Sequence, residues 1–136
     1  MKITNTGMNS VKIKPIPEHR KSVLWIGSSL KDLKELPEDV QKDLGHSLRD
    51  VQRGRDPGNV KLLRHLGSGV WQVSTDDRAG TFRLIYLLEL ADCVAVLHVF
   101  QKKSKTGVET PKKEIELIQE RIRFAQVAYR EWRARK

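Results

Sequence analysis

Apolar side chains along the chain change period several times, and each change marks an element. Ser22-Val23-Leu24-Trp25-Ile26 reads as a first strand, broken at Gly27 before Ser28-Ser29 open a helix. Ser29 and Asp32 are spaced as a capping box, and Leu30, Leu33 and Leu36 give this short helix one apolar side. Pro37 suits the first turn of a second helix, where its missing N–H costs nothing. Val40, Leu44, Leu48 and Val51 then continue at helical spacing to Gly54, so the two helices form a hairpin.

After Asp56-Pro57-Gly58 the pattern shortens. Leu62 to Leu66 and Val70 to Val73 flank Gly67-Ser68-Gly69, and a loop follows around Asp76-Asp77 and Gly80. Thr81 to Leu90 and Cys93 to Phe100 read as strands joined by the short turn Ala91-Asp92, hence as an antiparallel hairpin. From Pro111 onward Ile115, Ile118, Ile122, Ala125, Tyr129 and Trp132 recur three and four apart, the stripe of a long helix, wider than one sheet needs at its Tyr129–Trp132 end. The element order is β-α-α-β-β-β-α. It predicts an α+β fold: a small antiparallel sheet with an N-terminal helical hairpin and a C-terminal helix. Residues 1–21, polar, basic and interrupted by Pro15 and Pro17, are expected to be a flexible arm, with 22–136 as the one folded domain.

Composition narrows the function class. With 136 residues, 38% hydrophobic and 32% charged, the chain is a single globular domain rather than a disordered one. Lys+Arg 26 against Asp+Glu 17 gives +9, a balance that favours a polyanionic partner. Of the excess, 11 − 5 = +6 lies between Gln101 and Lys136. No apolar run is long enough to span a bilayer and no signal-peptide core is present, so a cytoplasmic protein with no membrane partner is expected. Cys93, the single cysteine, sits in an apolar run as a buried small hydrophobe. The four histidines and one cysteine show no ligand spacing, so neither a metal site nor a cofactor is expected. Gly67-Ser68-Gly69 lacks the Gly-Lys-Ser/Thr of a phosphate-binding loop.

Candidate chemistry concentrates where the last predicted strand ends. Lys102, Lys103, Ser104 and Lys105 follow the apolar run from Cys93 to Phe100, and Thr110-Pro111 open the next helix, so several ammonium groups converge on one place fit for a phosphate chain. The alternative is a solvated charge run, against which stands the placing of Lys61 and Arg64 on another predicted strand. Along Thr81–Leu90 the alternation separates Phe82, Leu84, Tyr86, Leu88 and Leu90 from Thr81, Arg83, Ile85, Leu87 and Glu89. Arg83 is therefore the cation on the less apolar face, either an exposed arginine or a bidentate phosphate ligand, and Tyr86 is a packed aromatic. His98 shares its predicted face with Val94, Val96 and Phe100, which reads first as a core histidine and second as a proton-transfer group.

Several segments in order resemble the phage-type HigB-like branch of the RelE/ParE toxin superfamily. They are Trp25-Ile26-Gly27-Ser28-Ser29, Leu36-Pro37, Gln52-Arg53-Gly54, Lys61-Leu62-Leu63, Gly67-Ser68-Gly69-Val70-Trp71, Thr81-Phe82-Arg83-Leu84-Ile85-Tyr86, and His98-Val99-Phe100-Gln101-Lys102-Lys103-Ser104 through Thr110-Pro111. The resemblance covers about Ser22 to Trp132 and implies a small curved sheet. It also implies the toxin of a type II toxin–antitoxin system, a ribosome-dependent messenger RNA endoribonuclease. Such cleavage uses the RNA's own 2′-hydroxyl as nucleophile and needs no metal; the protein supplies a cation for the phosphate, a base and an acid. Arg83 matches the phosphate-stabilising arginine and Lys103 a second cationic position, and His98 joins them as a candidate catalytic group. Lys61, Arg64, Lys102, Ser104 and Lys105 are candidate RNA-binding residues. The implied partners are the ribosome, messenger RNA and a cognate antitoxin, a helix-turn-helix protein from an adjacent gene. Gln72 and Ser74 stand where stronger nucleases of the superfamily carry basic side chains, which leaves the base unassigned. It also keeps two alternatives open: a ParE-like toxin acting on DNA gyrase, and an inactive RNA- or protein-binding module.

Overall fold

Alternating and continuous apolar runs become five strands and three α-helices in the computed structural model, which describes residues 20–102 and 112–135. Strand β1 (Ser22–Trp25) leads into α1 (Ser29–Lys34) and α2 (Glu38–Gln52). Strand β2 (Val60–Leu62) and a 3-10 turn (Arg64–Leu66) precede β3 (Val70–Asp77), β4 (Gly80–Leu87), β5 (Cys93–Gln101) and α3 (Lys112–Ala134). In the sheet the order is β1-β5-β4-β3-β2. Strands β2 to β5 pair antiparallel, and β1 adds one parallel edge, with Ser22 opposite Cys93 and Trp25 opposite Val96.

The fold is the α+β architecture the pattern predicts, with local differences. The Leu62–Leu66 segment divides at Leu63: β2 ends at Leu62, and Leu66 N–H bonds back to the Leu63 carbonyl at 3.0 Å to close the 3-10 turn. This gives four strands after the helices. Strand β3 runs on to Asp77, because a two-residue turn at Arg78-Ala79 sets Asp77 opposite Gly80 and the Asp77 carboxylate accepts from Ala79 N–H at 2.6 Å. The Ser29–Asp32 capping box does not form. Ser28 is the residue before α1, and its hydroxyl donates to Asp32 at 2.7 Å, whereas Ser29 is already helical and its buried hydroxyl has no partner among the described residues. The Gln41 amide donates to the Lys34 and Leu36 carbonyls at 3.0 and 2.8 Å, closing the link between α1 and α2.

Helices cover both faces of the sheet. Val40, Leu44, Leu48 and Val51 of α2, with Leu33 of α1, bury Val73, Phe82, Leu84, Tyr86, Val94 and Val96. Ile118 and Ala125 of α3 bury Ile85, Leu87, Cys93, Ala95 and Leu97 on the opposite face. Consequently every residue of β5 from Cys93 to Val99 is buried, and its composition shows no two-residue alternation to read. Tyr129 and Trp132 of α3 stack on each other at 6.0 Å and pack against this second cluster; the exposed apolar side chains of the helix are Phe124 and Val127.

A register shift between Ile85 and Tyr86 sets Ile85 opposite His98 and Tyr86 opposite Val96, so β5 carries one extra residue there. Leu97 and His98 both turn toward α3, while Val96 and Val99 stay with α2. The predicted common face of Val94, Val96, His98 and Phe100 is thereby split: the bulge moves His98 and Phe100 to the other side. Leu90 likewise joins the α3 cluster rather than Phe82 and Leu84, because β4 has ended at Leu87.

Two measurements check this packing. Ile118→Ala should cost about 2–5 kcal/mol in chemical denaturation, as a fully buried branched side chain on the inner face of α3, whereas exposed Phe124→Ala should stay within roughly 0.5 kcal/mol. The Tyr86 hydroxyl is pushed up to about 12 by burial, with Asp56 adding repulsion of the phenolate. The unfolded chain therefore releases this proton first, near 10, so stability conferred by neutral Tyr86 is present below pH 10 and falls as pH rises from 10 toward 12. Tyr86→Phe should remove that alkaline loss, read from melting temperatures across the same range.

Candidate functional site

Residues directly opposite each other on paired strands share a face, so the register sorts the polar side chains of the sheet. Lys61, Gln72, Ile85 and His98 form one row across β2, β3, β4 and β5, and Ser74, Arg83 and Phe100 form the next. A third row holds Asp76 and Thr81, whose hydroxyl donates to the Asp76 carboxylate at 2.7 Å. Ile85 lies in the α3 cluster, so all three rows belong to the α3 side. Toward the middle of β5 this face is apolar beneath Ile118 and Ala125; near the β3–β4 hairpin it becomes polar.

Arg83 is set there by β4, between Phe82 and Leu84 that face the α2 core. It is half-buried, and its Nε is buried with no hydrogen-bond partner among the described residues. A buried donor without an acceptor is costly unless something supplies one, and a guanidinium fork matches a phosphate. Lys102 follows β5, tied by its N–H to the Thr81 carbonyl at 2.8 Å, and strand alternation places it on the face of Phe100. Lys61 is exposed at the β2 edge of the same face. Arg64 is not on a strand: it stands exposed on the 3-10 turn, off these rows. Lys103, Ser104 and Lys105 lie outside the described residues.

His98 is 7% exposed and its ring stacks on Phe100 at 4.7 Å and 18°. Its Nε2 bonds to the Glu114 carboxylate from the first turn of α3, and its Nδ1 is buried without a partner among the described residues. Gln72 is 7% exposed and its amide donates to the Ser74 hydroxyl at 3.3 Å, so this pair offers hydrogen bonds and no titrating group near neutral pH. Tyr86 opposes Trp71 on the α2 side and does not reach Arg83's face.

Two residues of the site escape the sequence reading. Glu114, among Lys112, Lys113 and Glu116, looks like an ordinary first-turn carboxylate, and nothing in its spacing points sixteen residues back to His98. Arg121, seven residues on and thus on nearly the same side of α3, donates to the Leu97 carbonyl at 2.8 Å and to the Ser28 hydroxyl at 3.1 Å. Gly27 has φ +57, and a Cβ there would come within 2.8 Å of Arg121 Nε, so the Gly27-Ser28 corner is shaped to receive this guanidinium. Arg121 therefore fixes α3 beside the bulge, and the same helix carries Glu114 to His98.

A family model described as phage derived protein Gp49-like matches residues 31–123. No curated protein sequence matches the chain. Among solved structures, a double arginine-to-alanine variant of the E. coli toxin RelE in the free state is 19% identical, with a TM-score of 0.52 over 76% of this chain and 96% of that one. The toxin–antitoxin complex RelBE2 from Mycobacterium tuberculosis is 24% identical over 61% of this chain and 99% of that one, with a TM-score of 0.44. The first of these likenesses shows a RelE-like fold.

Proposed function

We propose, for a chain that belongs to the phage-derived Gp49-like family, the activity of a toxin that arrests translation by cutting messenger RNA on the ribosome. Within that reading it acts as the HigB-like resemblance implies, as one half of a two-gene toxin–antitoxin system. The observation that carries it is the buried Nε of Arg83, without a hydrogen-bond partner among the described residues, set on a polar sheet face between the rows of Lys61 and His98 on one side and Thr81 on the other, with Lys102 beyond Phe100.

The chemistry asks little else of the protein. The ribose 2′-oxygen attacks the adjacent phosphorus, the bond to the 5′ oxygen breaks, and negative charge grows on the phosphoryl oxygens. A half-buried guanidinium such as that of Arg83 stabilises that charge more than a fully exposed one, because less water competes. In this reading Lys61 and Lys102 hold the neighbouring backbone; Lys103 is assigned as the second cation and Ser104 and Lys105 as further RNA contacts, all three outside the described residues. Arg64, on its exposed turn, contributes to long-range attraction. The antitoxin of this reading neutralises by covering the same cations with carboxylates; exposed Phe124 and Val127 on α3 offer apolar side chains for it as well.

Two experiments bear on the proposal. Mapping messenger RNA ends after brief induction should reveal new cuts, and Arg83→Ala should lower cleavage by about two to three orders of magnitude and restore growth while circular dichroism stays unchanged. A folded Arg83→Ala protein that remains fully toxic sinks the assignment; growth arrest without new ends, accompanied by DNA breaks, favours a gyrase target, as Gln72 and Ser74 would suggest. Ribosome binding should also weaken steeply as salt rises from dilute to near-physiological, given +9 overall. Salt-insensitive binding would contradict a phosphate-dominated contact.

A further inference from the structure

Attack by the 2′-hydroxyl requires a group to take its proton, and the polar face offers few. Gln72 and Ser74 do not titrate in the useful range, and arginine stays protonated. Lysines among other cations on the same face are poor bases at neutral pH. Two carboxylates remain among the described residues of this face, Asp76 and Glu114. Asp76 is exposed and spends an oxygen on the Thr81 hydroxyl. Glu114 is held by an imidazole.

We infer that Glu114 is the general base of the reaction and that His98 is its positioning residue, an assignment that rests on the nuclease reading above. Relative exposure decides which member of the pair meets the RNA: the His98 side chain is 9% exposed and that of Glu114 is 33%. His98 therefore sits behind, donating Nε2–H to one carboxylate oxygen, and the other oxygen of Glu114 is presented outward. Three contacts fix this geometry. His98 is turned to this face by the bulge, its ring is stacked on Phe100, and α3 is pinned by Arg121 on the Leu97 carbonyl. Phe100 lies directly opposite Arg83, so Arg83 and His98 are diagonal neighbours, roughly 7–8 Å apart at the backbone, a separation that a phosphate bound to Arg83 can bridge.

The step balances as follows. Glu114 takes the 2′ proton while the O2′–P bond forms and Arg83 holds the phosphoryl oxygens. As the P–O5′ bond breaks, the 5′ oxygen takes a proton from a lysine ammonium at the end of β5, which regains one from water. The products are a 2′,3′-cyclic phosphate and a 5′-hydroxyl, and Glu114 returns its proton to water. Among the described residues the charged side chains of this sheet face are Lys61 from β2, Asp76 from β3, Arg83 from β4 and Lys102 after β5, and α3 adds Arg121 on nearly the same side as Glu114.

The test is single-turnover cleavage of a defined messenger RNA on purified ribosomes, measured across pH for the full chain and its variants. Glu114→Gln, which keeps a hydrogen-bond acceptor for His98, should cut roughly 10²–10⁴-fold more slowly and lose the fall in rate at acid pH. His98→Ala should slow cleavage while ribosome binding stays unchanged, and His98→Gln, whose amide can still donate to Glu114, should recover part of the rate, a rescue that a merely structural contact would not produce. Asp76→Asn should leave rate and profile unchanged. A folded Glu114→Gln protein with wild-type rate, or a slow Asp76→Asn protein beside it, overturns the assignment while leaving the nuclease reading intact. If Glu114→Gln does not fold, the wild-type profile decides, since cleavage with no fall at acid pH is incompatible with a carboxylate base. Wild-type protein that makes no cut under any of these conditions overturns both readings.

Discussion

Burial of β5 on both faces is the constraint from which the rest of this structure follows. The strand lies between β1 and β4, with α2 on one side and α3 on the other, so each residue from Cys93 to Val99 must satisfy a dry environment. Six of those seven are apolar, and His98 is the exception. A buried imidazole without a partner costs free energy, and the β5 residues that face α2, Val94, Val96 and Val99, sit in an apolar cluster. The bulge at Leu97-His98 resolves this by turning the ring to the α3 side, where Glu114 accepts its N–H. An irregularity that looks like a packing defect is what connects the core to the polar face.

That connection makes helix α3 part of the site as well as part of the core. Ile118 and Ala125 hold it by burial, and Arg121 holds it by hydrogen bonds to the bulge carbonyl and the Ser28 hydroxyl. The corner at Gly27 is open because no Cβ stands in the way of the guanidinium. Since a helix is stiff over two turns, fixing Arg121 also fixes Glu114, and the carboxylate inherits its precision from contacts made about 10 Å away.

Electrostatics completes the arrangement in the opposite sense to packing. The sheet face near the β3–β4 hairpin leaves Arg83 Nε buried without a partner among the described residues, which the fold tolerates because the rest of β4 is among the most completely buried described segments. Stability gained from Phe82, Leu84, Ile85 and Leu87 offsets an unsatisfied donor in their midst.

Much of this was legible in the residues themselves. Helical spacing located α2 and α3, since a stripe at 3.6-residue period needs only one partner surface to be recognised. Alternation places Arg83 on the face opposite Phe82 and Leu84, as the strand register does. What alternation cannot register is an extra residue in a strand, so His98 was assigned to the wrong face: the bulge is decided by which strand pairs with β5 and what covers it. The 3-10 turn that takes Arg64 off β2 is decided in the same way, by where Leu63 and Leu66 must go to reach the α3 cluster. Glu114 and Arg121 were invisible for a simpler reason. Their partners, His98, Leu97 and Ser28, lie 16 to 93 residues away in the chain, and only tertiary structure brings a helix's first turn and its third onto the same bulge.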